Sequence, residues 1–145
     1  MDEQLTTNFA RSEFRCRGKN CCGGSAPVEF GLVIGLQLMR DQLEAFAGRP
    51  VSLSLSCGFR CLKHNRRPEV GSDDASEHPK GRAADVPLPD GVTIEQLIEA
   101  ALIVPNFEHG GIGVYDWGVH VDDRGRKARW DKRTGNHNNY WRDGR

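Results

Sequence analysis

SEHPKGRAADV, residues 76–86, is the stretch on which the reading of this chain turns. It sets His78 seven residues ahead of Asp85, with small and polar residues between them. RAADV reads as a short strand in which Asp85 lies opposite Ala84 and Val86 across the pleat. A carboxylate flanked by small apolar residues in a strand is costly unless it is paired or holds a cation. The stretch is therefore either a plain loop entering a strand, or part of a metal site completed elsewhere in the chain.

The completing piece is GVHVD, residues 118–122. Strand periodicity puts His120 and Asp122 on one face and Val119 and Val121 on the other, so the valines suit a core and the polar pair a cleft. His78, Asp85 and His120 then supply three nitrogen and oxygen donors. A catalytic zinc uses that number while keeping one position open. Asp122, on the same face as His120, and Asp116, four residues before it, are the candidate proton acceptors. His64, His109 and His137 read as surface or hydrogen-bonded histidines.

Around these pieces the pattern is mixed. Val28, Leu32, Leu36, Met39, Leu43 and Phe46 recur at helical spacing and predict an amphipathic helix from Pro27 to about Phe46, closed by Gly48 and Pro50. VSLSLSC, residues 51–57, alternates and predicts a half-buried strand. LKHNRR predicts a short helix after a turn at Gly58, and residues 68–80 a loop. Thr93 and Gln96 form a capping box that opens a helix through about Val104. GGIGVY and GVHVD flank Asp116 and Trp117 as a hairpin. The first 26 residues read as irregular. The expectation is one α+β domain over residues 1–145, with a small, mainly antiparallel sheet and flanking helices.

Composition agrees: 145 residues, 37% hydrophobic and 28% charged, with no net charge. No apolar run approaches the ~20 residues of a membrane span. MDEQLTTNFARSEF lacks a basic segment followed by an apolar one, so synthesis in the cytoplasm without a signal peptide is expected. Residues 123–145 carry eight basic against three acidic side chains, +5, and the rest of the chain 12 against 17, −5. That basic tail, with Trp130, Tyr140 and Trp141, is read as a solvated terminus in preference to a nucleic-acid contact. Of the five cysteines, CRGKNCC and CGFRC together offer thiolates for a structural zinc. Their spacings are not tight C-x-x-C pairs, so buried thiols or a disulfide are favoured at least as much.

SEHPKGRAAD carries every defined position of a Ser-x-His-x-x-Gly-x-Ala-x-Asp signature: Ser76, His78, Gly81, Ala83 and Asp85. In this the chain resembles the zinc D-alanyl-D-alanine carboxypeptidases and their relatives among phage L-alanyl-D-glutamate endopeptidases, which share the hedgehog/DD-peptidase fold. SCGFRCLKHNRR is similar to the serine-glycine-aromatic-arginine segment of that family, with Cys57 intruding between Ser56 and Gly58, and GGIGVYDWGVHVDDRGRKARW is similar to its carboxy-terminal block. The resemblance spans roughly residues 8–130.

The resemblance implies Zn2+ held by His78, Asp85 and His120, with Arg60 and Ser76 on the substrate side. A guanidinium at Arg60 suits a carboxylate or carbonyl. The acid that many relatives carry two or three residues before the last ligand is absent, those positions being Gly118 and Trp117, so Asp122 or Asp116 is expected to serve. The implied activity is hydrolysis of peptidoglycan stem peptides by a monomer acting at the bacterial cell wall, as a phage endolysin does. The alternative is a zinc-binding module that recognises wall peptide or a protein partner without cutting it.

Overall fold

The computed structural model describes residues 2–135 and 140–145, and His137 lies outside them. Helix α1 runs Phe30–Ala47, and Leu32, Leu36, Met39 and Leu43 form its buried stripe. Its start is pinned from outside, because the Glu29 N–H donates to the Gly81 carbonyl at 2.7 Å. At the other end the expected stripe stops short of Phe46, which is 39% exposed, and Val33 is buried in addition. Burying each such aliphatic side chain contributes about 1.5–3 kcal/mol.

A single turn of helix, α2, follows at Leu62–Asn65. Helix α3 spans Ile94–Ile103. Its capping box forms as the sequence predicts, with Gln96 N donating to Thr93 Oγ1 at 3.1 Å and Thr93 N donating to Gln96 Oε1 at 3.0 Å. Pro105 has no N–H to extend that helix and instead starts a short new one, α4, at Pro105–Glu108. Phe107 of α4 packs so closely on α1 that a Cβ at Gly35 would sit 2.7 Å from its ring.

Four strands form one sheet: β1 Ala83–Pro87, β2 Gly111–Tyr115, β3 Gly118–Asp122 and β4 Ala128–Asp131. Their order is β1-β3-β2-β4, with β1–β3 and β2–β3 antiparallel and β2–β4 parallel. The β2–β3 hairpin turns at Asp116 and Trp117 as expected. Alternation gives the sheet two characters. Ala84, Val86, Ile112, Val114, Val119 and Val121 belong to the buried core together with the helices, while Asp85, His120, Asp122 and Trp130 take the opposite face.

Two expectations need correction. Residues 51–57 alternate in burial, with Val51, Leu53 and Leu55 buried and the serines exposed, yet they join no ladder. One bridge, Cys57 with Asp85, is their link to the sheet. Alternating polarity reports which side chains face the core, not whether a backbone partner lies alongside.

The basic carboxy-terminal segment is also not a solvated tail. Residues 128–131 form β4, and Trp141 is buried in the core. Much of its positive charge is used inside the fold. Arg124 pairs with Asp122, Arg133 with Asp131 and Arg145 with Glu99, while Arg129 donates to the carbonyls of Gly110 and Glu108. Among the described residues no helix is long and apolar enough to cross a membrane.

Candidate active site

The β1–β3 register sets Asp85 directly across from His120. His78 arrives from the loop side, opening a one-turn 3-10 helix, His78–Lys80, that Gly81 ends with φ 72°. Each imidazole is fixed by the nitrogen that faces away from Asp85. His78 Nδ1 lies 2.8 Å from the Gly58 carbonyl, which can only accept, so Nδ1 carries the proton. His120 Nε2 lies 2.7 Å from Asp122 Oδ2 and carries its proton for the same reason.

The remaining nitrogens, His78 Nε2 and His120 Nδ1, converge on one atom, Asp85 Oδ1, at 3.3 and 3.1 Å. Ligands ~2.0–2.2 Å from a tetrahedral zinc stand about 3.3–3.5 Å apart, and each imidazole nitrogen stands close to that distance from Asp85 Oδ1. Burial alone would raise the Asp85 carboxyl, but His120 and His78 hold it well below the ordinary carboxylate range. Burial likewise opposes charge on His78, and the Asp85 carboxylate outweighs it, raising that imidazole.

Cys57, offered by the sequence to a cysteine zinc site, stands instead beside this centre. Its Sγ lies 3.5 Å from His78 Nδ1, and the thiol, His78 and Asp85 offer ligand atoms all within 4.8 Å of one another. The thiol stands on the proton-bearing side of His78, which makes His120, at 3.1 Å from Asp85, the better placed third ligand. The clue in the sequence was the odd residue between Ser56 and Gly58, next to a segment that bridges to Asp85.

The two expected proton acceptors lie in different surroundings. Asp122 shares a face with His120 as predicted, but it sits behind the ring, fully buried. Its Oδ1 accepts from Gly111 N, Arg124 N and Arg124 Nε, and its Oδ2 from His120 and Arg124 Nη2. Burial pushes that carboxyl up; Arg124 first and then His120 pull it well below the usual range. Asp116 is tied to Thr134, accepting from its N and Oγ1 at 3.0 and 2.7 Å.

A cleft of about 570 Å3 opens over the triad. Neither Asp122 nor Asp116 lines it; its carboxylates are Asp85 and Glu77. Glu77 is 4% exposed and paired with Arg82 and Lys80. Arg60 lines the cleft with its Nε donating to Asn65 Oδ1 at 2.8 Å, and the buried Asn65 is itself held through Nδ2 on the Asp73 carbonyl. Ser76 also lines it and accepts from His78 N at 3.3 Å.

The far wall is aromatic. Tyr115 and Trp117 stack at 4.9 Å, and Trp130 lies 5.1 Å from the His120 ring while donating from Nε1 to Tyr115 Oη. Trp130 reaches that place because its register partner is Gly113, where a Cβ would stand 2.1 Å from the indole nitrogen.

A strand-borne carboxylate between two oriented imidazoles, under a cleft with an arginine, is the arrangement of a metal-dependent hydrolase. The family model described as Peptidase M15 matches residues 7–122, and the chain belongs to that family of metallopeptidases, typically zinc-dependent. No match among curated proteins accompanies it.

Proposed function

We propose that this chain is a zinc peptidase that hydrolyses the stem peptides of bacterial peptidoglycan at or beside D-amino acids, acting at the cell wall. The observation that carries the reading is the single Asp85 oxygen shared by His78 Nε2 and His120 Nδ1. Held there, zinc supplies Lewis acidity toward a peptide carbonyl and activates water.

The chain's own residues do the rest. Gly58 and Asp122 set the two rings through their far nitrogens. Arg60, steadied by Asn65, presents its guanidinium to a substrate carboxylate or carbonyl, with Ser76 beside it. Glu77, the cleft carboxylate other than Asp85, takes and returns the proton. Tyr115, Trp117 and Trp130 pack against the peptide. Contact of Arg60 with a terminal carboxylate makes the enzyme a D-Ala-D-Ala carboxypeptidase; contact with an internal carbonyl makes it an endopeptidase of the phage endolysin kind.

The experiment is digestion of purified peptidoglycan by zinc-loaded protein. Release of new amino groups is expected, lost in His120→Ala, and free D-alanine against larger fragments separates the two actions. The engagement of Asp122, Asp116 and Glu77 alike favours a second reading, a zinc module that binds wall peptide without cutting it. Peptidoglycan binding with no amino groups released would establish that reading instead.

A further inference from the structure

We propose that Cys16, Cys21, Cys22 and Cys61 form a second, structural zinc site, separate from the His78–Asp85–His120 centre. Their four sulfurs lie within 4.8 Å of one another, although Cys61 is remote in sequence from the other three. Cys16 Sγ and Cys21 Sγ are 3.8 Å apart. Thiolates at the usual Zn–S length of ~2.3 Å stand about 3.8 Å apart at the corners of a tetrahedron, whereas a disulfide brings its sulfurs to ~2.05 Å. The spacing is that of ligands around an ion.

The backbone is arranged to bring them together. The loop that delivers three of the sulfurs takes positive φ at Asn20, Gly23 and Gly24. At Gly18 a Cβ would stand 2.8 Å from Cys21 Sγ and 2.6 Å from the His64 ring, so only glycine lets the loop close this tightly. A backbone N–H is directed at one of the sulfurs: His64 N at Cys61 Sγ, 3.4 Å away. Such a donor disperses thiolate charge around a bound metal. His64 Nδ1 stands 3.4 Å from Cys16 Sγ, as a hydrogen-bond partner.

The donor set chooses the ion. Four thiolates and no carboxylate suit a borderline-soft divalent cation and not magnesium or calcium. A shell closed by four protein sulfurs leaves no position for substrate, which makes the site structural. Its mechanical effect is local: it staples the loop at residues 16–22 to Cys61, the residue after Arg60, beside the Phe59 N–H bond to the Phe14 carbonyl.

The full chain, reduced and reconstituted with zinc, is expected to hold about two equivalents, and His120→Ala about one. Cobalt-loaded protein carrying His120→Ala and Cys57→Ser should show strong thiolate-to-cobalt charge transfer and tetrahedral bands. Adding Cys21→Ser and Cys22→Ser should abolish both. Alkylation of the folded His120→Ala protein needs no cysteine substitution: zinc should shield Cys16, Cys21, Cys22 and Cys61, and a chelator should expose them. The proposal is overturned if zinc-loaded protein alkylates freely at those four positions, if they emerge as disulfides under reducing purification, or if the cobalt band follows Cys57. Neither readout uses peptidase activity, so the result is independent of the substrate reading.

Discussion

Asp122 holds His120 by its far nitrogen, Oδ2 to Nε2 at 2.7 Å, and thereby aims Nδ1 at Asp85. The relation assigns Asp122 a positioning role that a proton acceptor would not share. Asp122→Asn is therefore expected to weaken zinc binding by about 10–100-fold, measured by competition with a chelating dye. It should also lower the melting temperature, since Arg124 loses its buried anion. Unchanged zinc affinity with a fall in kcat alone would return Asp122 to the role of base.

Glu77→Gln probes the other side of that assignment. The amide keeps the shape of the cleft wall but accepts no proton. Zinc content should stay at the wild-type level while kcat falls by about 100-fold or more. A variant that keeps the wild-type kcat would remove Glu77 from the chemistry.

Arg60 is held ready by Asn65 at 2.8 Å. Arg60→Ala should raise KM for a stem-peptide substrate by roughly 10–100-fold, the worth of about 1.5–3 kcal/mol for hydrogen bonds to a charged group. Metal content should not change. Asn65→Ala, which touches no substrate, should move KM in the same direction by less.

Acid stability has its own test at Asp131. Arg133 first, offset in part by burial and joined by the Tyr140 and Arg133 amides, lowers its carboxyl to about 2. A depressed folded pKa gives stability that is fully present above the unfolded value of ~3.9 and lost as pH falls toward 2. Asp131→Asn should therefore cost about 1 kcal/mol at neutral pH. In acid unfolding curves the gap to wild type should close between roughly pH 4 and pH 2.

Much of this molecule was legible before it was folded. Thr93 and Gln96 announce α3, and the alternation of GVHVD announces which side chains of β3 face the cleft. The signature around His78 and Asp85 points to two of the three proposed donors. What escaped depends on distant partners. The extended residues 51–57 look like a strand because their burial alternates, yet pairing is a property of the neighbour. β4 is four residues long, and its pairing with β2 cannot be seen in ARWD itself. The cysteine cluster closes only when the chain returns Cys61 to the loop holding Cys16. The role of Asp122 rests on which ring nitrogen of His120 it meets, which strand periodicity does not encode.

For anyone reshaping the specificity of this cleft, positions 113 and 130 behave as one unit. A side chain at Gly113 evicts the indole of Trp130, and with it the hydrogen bond that steadies Tyr115. Gly113→Ala should thus phenocopy Trp130→Ala, altering KM while zinc stays bound, and the two changes together should add little. Libraries that vary the two residues independently will sample mostly misfit walls, and a useful search pairs each larger residue at 113 with a smaller one at 130.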